Sequence, residues 1–264
     1  MILSRRVALD GAQLDQVDER ILIQAVEAGA GKDTVSATPL YGGSGSRVTN
    51  RHRESLDIAV KFTINEKSYH PEERADVLER VVAWAANGGW LTVNYKPGRK
   101  IRVIAAQLPG EGDARKRNQY TITFRAYGVP YWQSDPAKAT VSGTDASGGI
   151  EIPGSAETLA DVQVQNISGM TVESVVVGVG DSRFHFGSLG LGGNETLVID
   201  HQDDGEMCLL RIRIKSAGGV YRSVMDKRIG YSSDDLRVKP GAATVLLRAQ
   251  RSCRMTVSCP GRFA

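Results

Sequence analysis

The chain has few of the residues that usually announce chemistry. Three cysteines, Cys208, Cys253 and Cys259, stand far apart among 264 residues. Their spacing fits neither a disulfide framework nor a CxxC metal site, so they read as reduced and incidental, in a protein made in the cytoplasm. Four histidines, His52, His70, His185 and His201, are scattered singly. No GxSxG, no HExxH and no cysteine with a nearby histidine assembles a nucleophile or a metal centre. The expectation is therefore a protein that is not an enzyme and carries no cofactor or metal. No apolar run is long enough to span a bilayer, and MILSRR lacks the apolar stretch of a signal peptide, so no membrane partner is expected.

Charge excess is also lacking. Residues 1–140 carry 20 Lys/Arg against 16 Asp/Glu, a difference of +4, and residues 141–264 carry 13 against 14, a difference of −1. A dedicated nucleic-acid binder concentrates basic residues far more strongly, so no specific nucleic-acid binding is expected. Helical periodicity is rare too. The 29 glycines point instead to many turns and to a mainly β chain long enough for two domains.

The strand signals are specific. VALDGAQLD places an Asp10-Gly11 turn between short apolar pieces, a hairpin signature. In LDIAVKFTI, Leu56, Ile58, Val60, Phe62 and Ile64 alternate with more polar residues, as a strand with one buried face requires. One helix interrupts the strands. HPEERADVLERVVAWAANGG has Pro71 at its start, acids in its first turn, an apolar stripe of Leu78, Val81, Val82 and Ala85, and a glycine stop at Asn87-Gly88-Gly89. It spans about 71–86 and covers one face of a sheet. WLTVNYKPGRKIRVIAAQL is a hairpin around Pro97-Gly98, and TITFRAYGVPYW is a last strand ending in an aromatic plug that closes the core.

Past Trp132 the composition changes. Ser134–Glu157 is rich in Ser, Thr, Gly, Pro and Asp, which reads as linker and short edge strands over about 133–157. The domains are accordingly 1–135 and 136–264, the first β with one helix, the second an all-β sandwich.

Three stretches invite a chemical reading. EAGAGKDT fails as a phosphate loop, because Val26 and Asp33 stand where a Walker motif needs glycine and Ser/Thr; it reads as a turn between strands. IDHQDDGE clusters Asp200, His201, Asp203, Asp204 and Glu206 without the spacing of a calcium loop, and reads as a polar turn. YGGSGSRVTNRHR is a glycine loop followed by a basic strand: either a solvated hairpin tip or a contact that orders against a neighbouring protein.

The order of these pieces resembles the siphophage distal tail protein (Dit) family. The glycine loop with RVTNRHRESLDIAVKFTI, the helix RADVLERVVAWA, the hairpin GGWLTVNYKPGRKIRVIAAQ and the closing TITFRAYGVPYW match its N-terminal domain. VQNISGMTVESVVV, GGNETLVIDHQ and LRVKPGAATVLLRA match its C-terminal sandwich, while Gly178–Gly193 matches least. The resemblance implies a mainly β fold: a ring-forming β-sandwich with one amphipathic helix and an extended hairpin, then a galectin-like or carbohydrate-module-like sandwich. It implies a virion structural protein of the tail, assembled in the bacterial cytoplasm. Its partners would be itself as a ring homo-oligomer (a hexamer), the tail tube protein and a tip or fibre protein, with DNA passing through the lumen. Candidate protein contacts are Gly42, Gly43, Arg47, Arg51 and Arg53 on the glycine loop, and Lys96, Arg99 and Lys100 on the hairpin. The alternative is a carbohydrate-binding adhesin acting through the second sandwich on host glycan, although aromatics are sparse after Trp132.

Overall fold

The computed structural model describes residues 6–29, 31–39, 46–65, 70–110, 119–203, 208–230 and 232–264. The chain divides into two compact units. One runs through Trp132; the other comprises Gln133–Gln202 and Cys208–Ala264.

The first unit contains β1 (Val7–Leu9), β2 (Ala12–Gln13), β3 (Ile21–Ala28), β4 (Asp33–Pro39), β5 (Ser46–Arg53), β6 (Leu56–Ile64), α1 (Pro71–Ala85), β7 (Gly89–Val93), β8 (Arg99–Gln107) and β9 (Gln119–Ala126). Its strands are hydrogen-bonded in the order β3-β6-β9-β8-β7-β1-β2. The β6 alternation is realised without a miss: Leu56, Ile58, Val60, Phe62 and Ile64 are all buried. Each such side chain removed from water contributes about 1.5–3 kcal/mol. The Asp10-Gly11 turn has both residues at positive φ, 48° and 86°, the geometry that matches the twist of a two-residue hairpin. β8 serves two partners in turn, pairing with β7 from Lys100 to Val103 and with β9 from Ile104 onward.

Helix α1 buries Val77, Leu78, Val81 and Ala85, with Val82 at the margin of the stripe. Trp84 meets the Phe124 ring edge-on at 6.1 Å and donates its indole N–H to the Ala12 carbonyl at 3.0 Å, so the helix lies over β9 and is tied to the β1–β2 hairpin. A second tie is ionic. Arg80 of the helix and Arg20 share the buried Asp18, whose carboxyl is pulled down to about 2, first by its hydrogen bond from Arg20. Gly88 ends the helix at φ 61°, where a Cβ would lie 2.3 Å from the Val103 carbonyl oxygen; only glycine fits.

The second unit contains β10 (Trp132–Ile152), β11 (Thr158–Leu159), β12 (Asp161–Asn166), β13 (Val175–Val179), β14 (Ser182–Phe186), β15 (Thr196–Asp203), β16 (Cys208–Lys215), β17 (Tyr221–Ser223), β18 (Arg237–Val238) and β19 (Gly241–Phe263). One layer is ordered β17-β16-β15-β12-β19-β10, and β14-β13 joins through β19. β19 pairs with β13 over Val245–Ala249 and with β12 over Cys253–Ser258. Val245, Leu247, Cys253, Met255, Val257 and Cys259 all face the core, so one side of this single strand wraps both layers. The segment least matched to the resemblance is an ordinary hairpin, β13–β14, closed by Gly180 at φ 58°.

One expectation is corrected here. Residues 133–152, read as linker with short edge strands, form one 21-residue strand with Trp132. The strand bends sharply. Gly143 (φ 145°) stands where a Cβ would be 3.7 Å from Ala146, and a Cβ on Gly148 would be 2.9 Å from Val141. Small residues are present because the strand folds over the core edge: Ala137, Ala139 and Val141 pack against the core without filling it. The low apolar content that suggests a linker is what a strand at a tight corner uses.

The Asn of VQNIS is a packing device. Asn166 is fully buried; its amide donates to the carbonyls of Met170 (2.6 Å), Leu191 (2.9 Å) and Gly192 (3.1 Å), and its oxygen accepts from the Ser168 amide. Replacing it leaves buried carbonyls unpaired at about 1–3 kcal/mol each. Asn166→Ala is expected to destabilise the second unit by about 3 kcal/mol in chemical denaturation; a change below about 0.5 kcal/mol would show the network to be incidental.

Candidate interaction surfaces

A ribbon and a hairpin turn carry the residues picked from sequence. β4 and β5 form a two-stranded ribbon that pairs with no other strand among the described residues. The Walker-like stretch lies at its root as a turn between β3 and β4. Gly42 and Gly43 fall outside the described residues. Arg47 and Arg51 lie on β5 opposite Thr38 and Val35. Arg53 stands at the root, opposite Asp33, with its guanidinium 4.6 Å from the centre of the Tyr131 ring. It also covers Gly31 so closely that a Cβ there would overlap the guanidinium at 1.7 Å. The ribbon is exposed along its described length: Val35, Ser36, Ala37 and Thr38 all face solvent.

The second group lies at the turn of the β7–β8 hairpin, Asn94–Gly98, whose strands are themselves held in the sheet between β1 and β9. Its cations lie over aromatic rings. The Lys96 ammonium sits 5.1 Å from the Trp132 ring, and Lys100 and Arg102 lie 5.0 and 6.0 Å from the Trp90 ring. Burial, with Arg99 nearby, lowers the Lys96 pKa. Arg99 opens β8 and reaches the same turn through its amide, which donates to the Lys96 carbonyl.

The aromatic segment after β9 thus contacts both the root of the ribbon and the hairpin turn. Val129, Pro130 and Trp132 are buried, as a plug should be, whereas Tyr131 is half-buried under Arg53 and Trp132 lies under Lys96. Tyr127 departs from the plug: it is exposed and stacks against Arg125, which is ion-paired with Asp57. Arg125 in turn depresses the Asp57 carboxyl. Sequence alternation identified the strand but could not say which aromatic faces inward after it ends.

In the second unit Asp200, His201 and Asp203, read as part of a polar turn, lie in β15, while Asp204 and Glu206 fall outside the described residues. Asp200 accepts from Arg211 and Arg213 at 2.8 and 2.9 Å. Arg211 also reaches Gln202, and Arg213 lies 4.5 Å from the Tyr221 ring centre. His201 points the other way and is buried, with Nδ1 3.0 Å from Asp161 and Nε2 2.7 Å from Asp235. Burial opposes its charge, but the two carboxylates outweigh that and raise its pKa to about 9, while the imidazolium helps to lower that of Asp235. The ring is an internal cationic rivet between β12, β15 and the Asp235 turn. Sequence reading missed it because its partners lie 40 and 34 residues away. Among the described residues no group of three or more His, Cys, Asp or Glu is placed to hold a metal ion. The Cys259 thiol is pushed up to about 12, chiefly by burial.

No protein-family model matches the sequence, and no curated protein matches it. Solved structures do match. The chain is similar to the crystal structure of SPP1 Dit (gp 19.1), described as a paradigm of the hub adsorption apparatus in phages infecting Gram-positive bacteria. The TM-score is 0.65 at 15% identity, over 98% of this chain and 99% of that one. It is also similar to a chain of the phage P2 baseplate in its activated conformation with calcium, at TM-score 0.52 and 11% identity, over 96% and 97% of the two chains. The strontium form of that baseplate gives 0.52 and 10%. The mainly β, Dit-like architecture expected from the sequence is therefore the fold observed, through both units.

Two outcomes follow from this geometry. A double-mutant cycle on Arg53→Ala and Tyr131→Ala is expected to show a coupling of about 0.5–1 kcal/mol in urea denaturation; zero coupling would remove Arg53 from the ribbon's anchorage. For His201, the raised folded-state pKa means stabilisation is full below the unfolded value of about 6.5 and is lost as pH rises through about 9. Thermal melts of the parent protein should therefore fall between those pH values by an amount on the order of 2–3 kcal/mol. His201→Asn should be less stable at pH 6 and lack that slope; an unchanged slope would overturn the assignment.

Proposed function

We propose that the protein is a structural component of a siphophage tail, placed at its distal end as a ring-shaped hub, a hexamer, between the tail tube and the tip or fibre apparatus. The observation that carries this reading is the end-to-end likeness to SPP1 Dit, which includes both units in one chain order. Sequence resemblance and fold likeness reach the same family by independent routes, one through motifs and the other through backbone geometry. The chain also has what a closed ring requires: a protrusion unlike the rest of its surface, so that head-to-tail contact repeats around an axis. The β4–β5 ribbon, with Arg47 opposite Thr38, Arg51 opposite Val35 and Arg53 at its root, is the proposed inter-subunit element, together with Gly42 and Gly43 of the sequence between its strands. The Lys96–Lys100 turn, with Arg99, is a second contact. The role is non-enzymatic: binding here is of protein to protein, and DNA passes through the lumen without sequence-specific contacts.

A second reading rests on Tyr221. Its ring is half exposed, with the Arg213 guanidinium 4.5 Å and the Lys215 ammonium 5.8 Å from its centre, and Arg213 is itself paired with Asp200, a polar-aromatic surface of the kind that holds a sugar ring. Binding of the full chain to a host-surface glycan array, lost on Tyr221→Ala, would support carbohydrate recognition by the second unit.

The hub reading is tested by assembly. Light scattering and negative-stain electron microscopy of the purified chain are expected to show a ring of about six copies, and the pair Arg47→Glu with Arg51→Glu is expected to shift it toward subunits at equal concentration. A monomer at high concentration with no rings in micrographs would overturn it.

A further inference from the structure

The second unit is close to neutral, yet its cations are not spread evenly. Residues 141–264 carry 13 Lys/Arg against 14 Asp/Glu, a difference of −1. On β16 the core side is set by Ile212 and Ile214, both buried, so Arg211, Arg213 and Lys215 stand in a row on the opposite face. Asp200 of β15 accepts from Arg211 and Arg213 and neutralises one charge. Three cations then face one carboxylate, a difference of +2. The acids Asp203, Asp204 and Glu206 stand in the sequence before Cys208, at the other end of β16 from Lys215. The positive excess is therefore strongest at the Lys215 end.

Tyr221 stands at that end. It pairs with Lys215 across β16 and β17, and Ser223 pairs with Arg213. The ring centre lies 4.5 Å from the Arg213 guanidinium and 5.8 Å from the Lys215 ammonium, so the ring leans from β17 onto β16. Tyr221 nevertheless remains 46% exposed. β17 ends the sheet order, with β16 as its single partner among the described residues, so no strand flanks the ring on its far side. Arg222 is turned to the other face, where it donates to the Gly190 carbonyl and to Glu195. The two cations beside the ring are only partly neutralised. Among the described residues Arg213 makes one side-chain hydrogen bond, to Asp200, and its Nε is buried without a partner. Lys215 is exposed and has no carboxylate partner among the described residues.

We propose that Arg213, Lys215 and Tyr221 bind an anionic glycan, a chain of sugar rings carrying carboxylate or phosphate groups. The inference rests on the glycan reading of Tyr221 and names its ligand class. Three observations select that class. A half-exposed aromatic ring offers its face to the apolar face of a sugar. Beside it, an ammonium without a carboxylate partner and a guanidinium with N–H groups left over are placed to take acidic oxygens. The cations also repeat at every second residue, so the row from Arg211 to Lys215 spans about 13 Å, longer than one sugar ring and suited to repeated acidic groups. A neutral glycan would desolvate both cations without compensation, which sets the preference for acid-bearing sugars. Single-stranded nucleic acid is a polyanion with rings of its own, but it stacks successive bases on several aromatic side chains. Among Phe, Tyr and Trp, strands β15, β16 and β17 hold Tyr221 alone.

The test titrates the full chain with glycan probes of matched length: a neutral mannan oligosaccharide, a phosphomannan oligosaccharide and an oligogalacturonate. Polyglutamate and single-stranded DNA serve as anions without sugar acids. The two acidic glycans are expected to bind, and to bind at least about tenfold more weakly as salt rises from about 50 mM to about 500 mM. Lys215→Gln and Arg213→Gln are each expected to weaken binding about three- to tenfold, and Tyr221→Ala about tenfold. Tyr221→Phe, which keeps the ring, is expected to bind like the parent. Lys239→Gln removes the same charge outside β15–β17 and is expected to change nothing. Lys215 has no ion pair to lose, so its variant keeps the test open if Arg213→Gln fails to fold. Binding of the neutral probe alone, lost in Tyr221→Ala but unchanged in Lys215→Gln, would overturn this inference and leave the glycan reading standing. Polyglutamate or DNA bound as tightly as the acidic glycans would also overturn it, by showing that charge alone is read. Binding of none of the glycans would overturn both readings of Tyr221, with the hub reading untouched.

Discussion

The hydrogen bonding of β19 holds the second unit together. This one strand is flanked by β13 along Val245–Ala249, by β12 along Cys253–Ser258, and by β10 on its other side. Because Val245 and Leu247 on one side of the exposed Arg251, and Cys253, Met255, Val257 and Cys259 on the other, all face inward, the strand must bend around the core. β10 follows the same bend, and its Gly143 and Gly148 are the residues that let it do so. Everything else in the unit is attached to this pair. The hairpin β13–β14 closes one layer, and Asn166, buried where β12 ends beside Cys253, fixes the loops that begin there. His201 then clamps β15 to β12 and to the Asp235 turn.

The first unit is organised around a different problem, the anchoring of protrusions. A ribbon that pairs with no third strand among the described residues gains little from the core, so its root must be secured by specific contacts. Arg53 on Tyr131 and Lys96 on Trp132 do this with adjacent residues of one segment. A cation over an aromatic face gives both hold and direction, and the alkyl stem of the lysine adds apolar contact. The segment that closes the core is also the one that secures the root of the ribbon and the hairpin turn.

Much of this was legible from residue patterns. The period-two alternation of Leu56–Ile64 predicted a one-sided strand, and its burial follows that alternation residue by residue. Pro71, the first-turn acids and the glycine stop bounded the helix to within one residue. These features are local: each depends on residues a few positions apart, and the backbone alone enforces them. Composition misled at 133–152 because Gly, Ala, Ser and Thr signal a linker in open chain and a tight corner in a bent strand, and nothing local distinguishes the two. Of the residues singled out as contacts, Arg53, Lys96 and Lys100 proved to be partnered within their own unit, by aromatic rings that sequence separation had hidden for Arg53 and Lys96.

Residue pattern alone determined the strands with a clear period of two, the place of the helix and the order of the pieces, because hydrophobic period and turn chemistry are short-range constraints. Tertiary structure alone decided how far strands run, which edges remain unpaired and which charges are buried. The 21-residue strand and the His201 rivet both arise from contacts between residues far apart in the chain, where only the fold brings donor to acceptor.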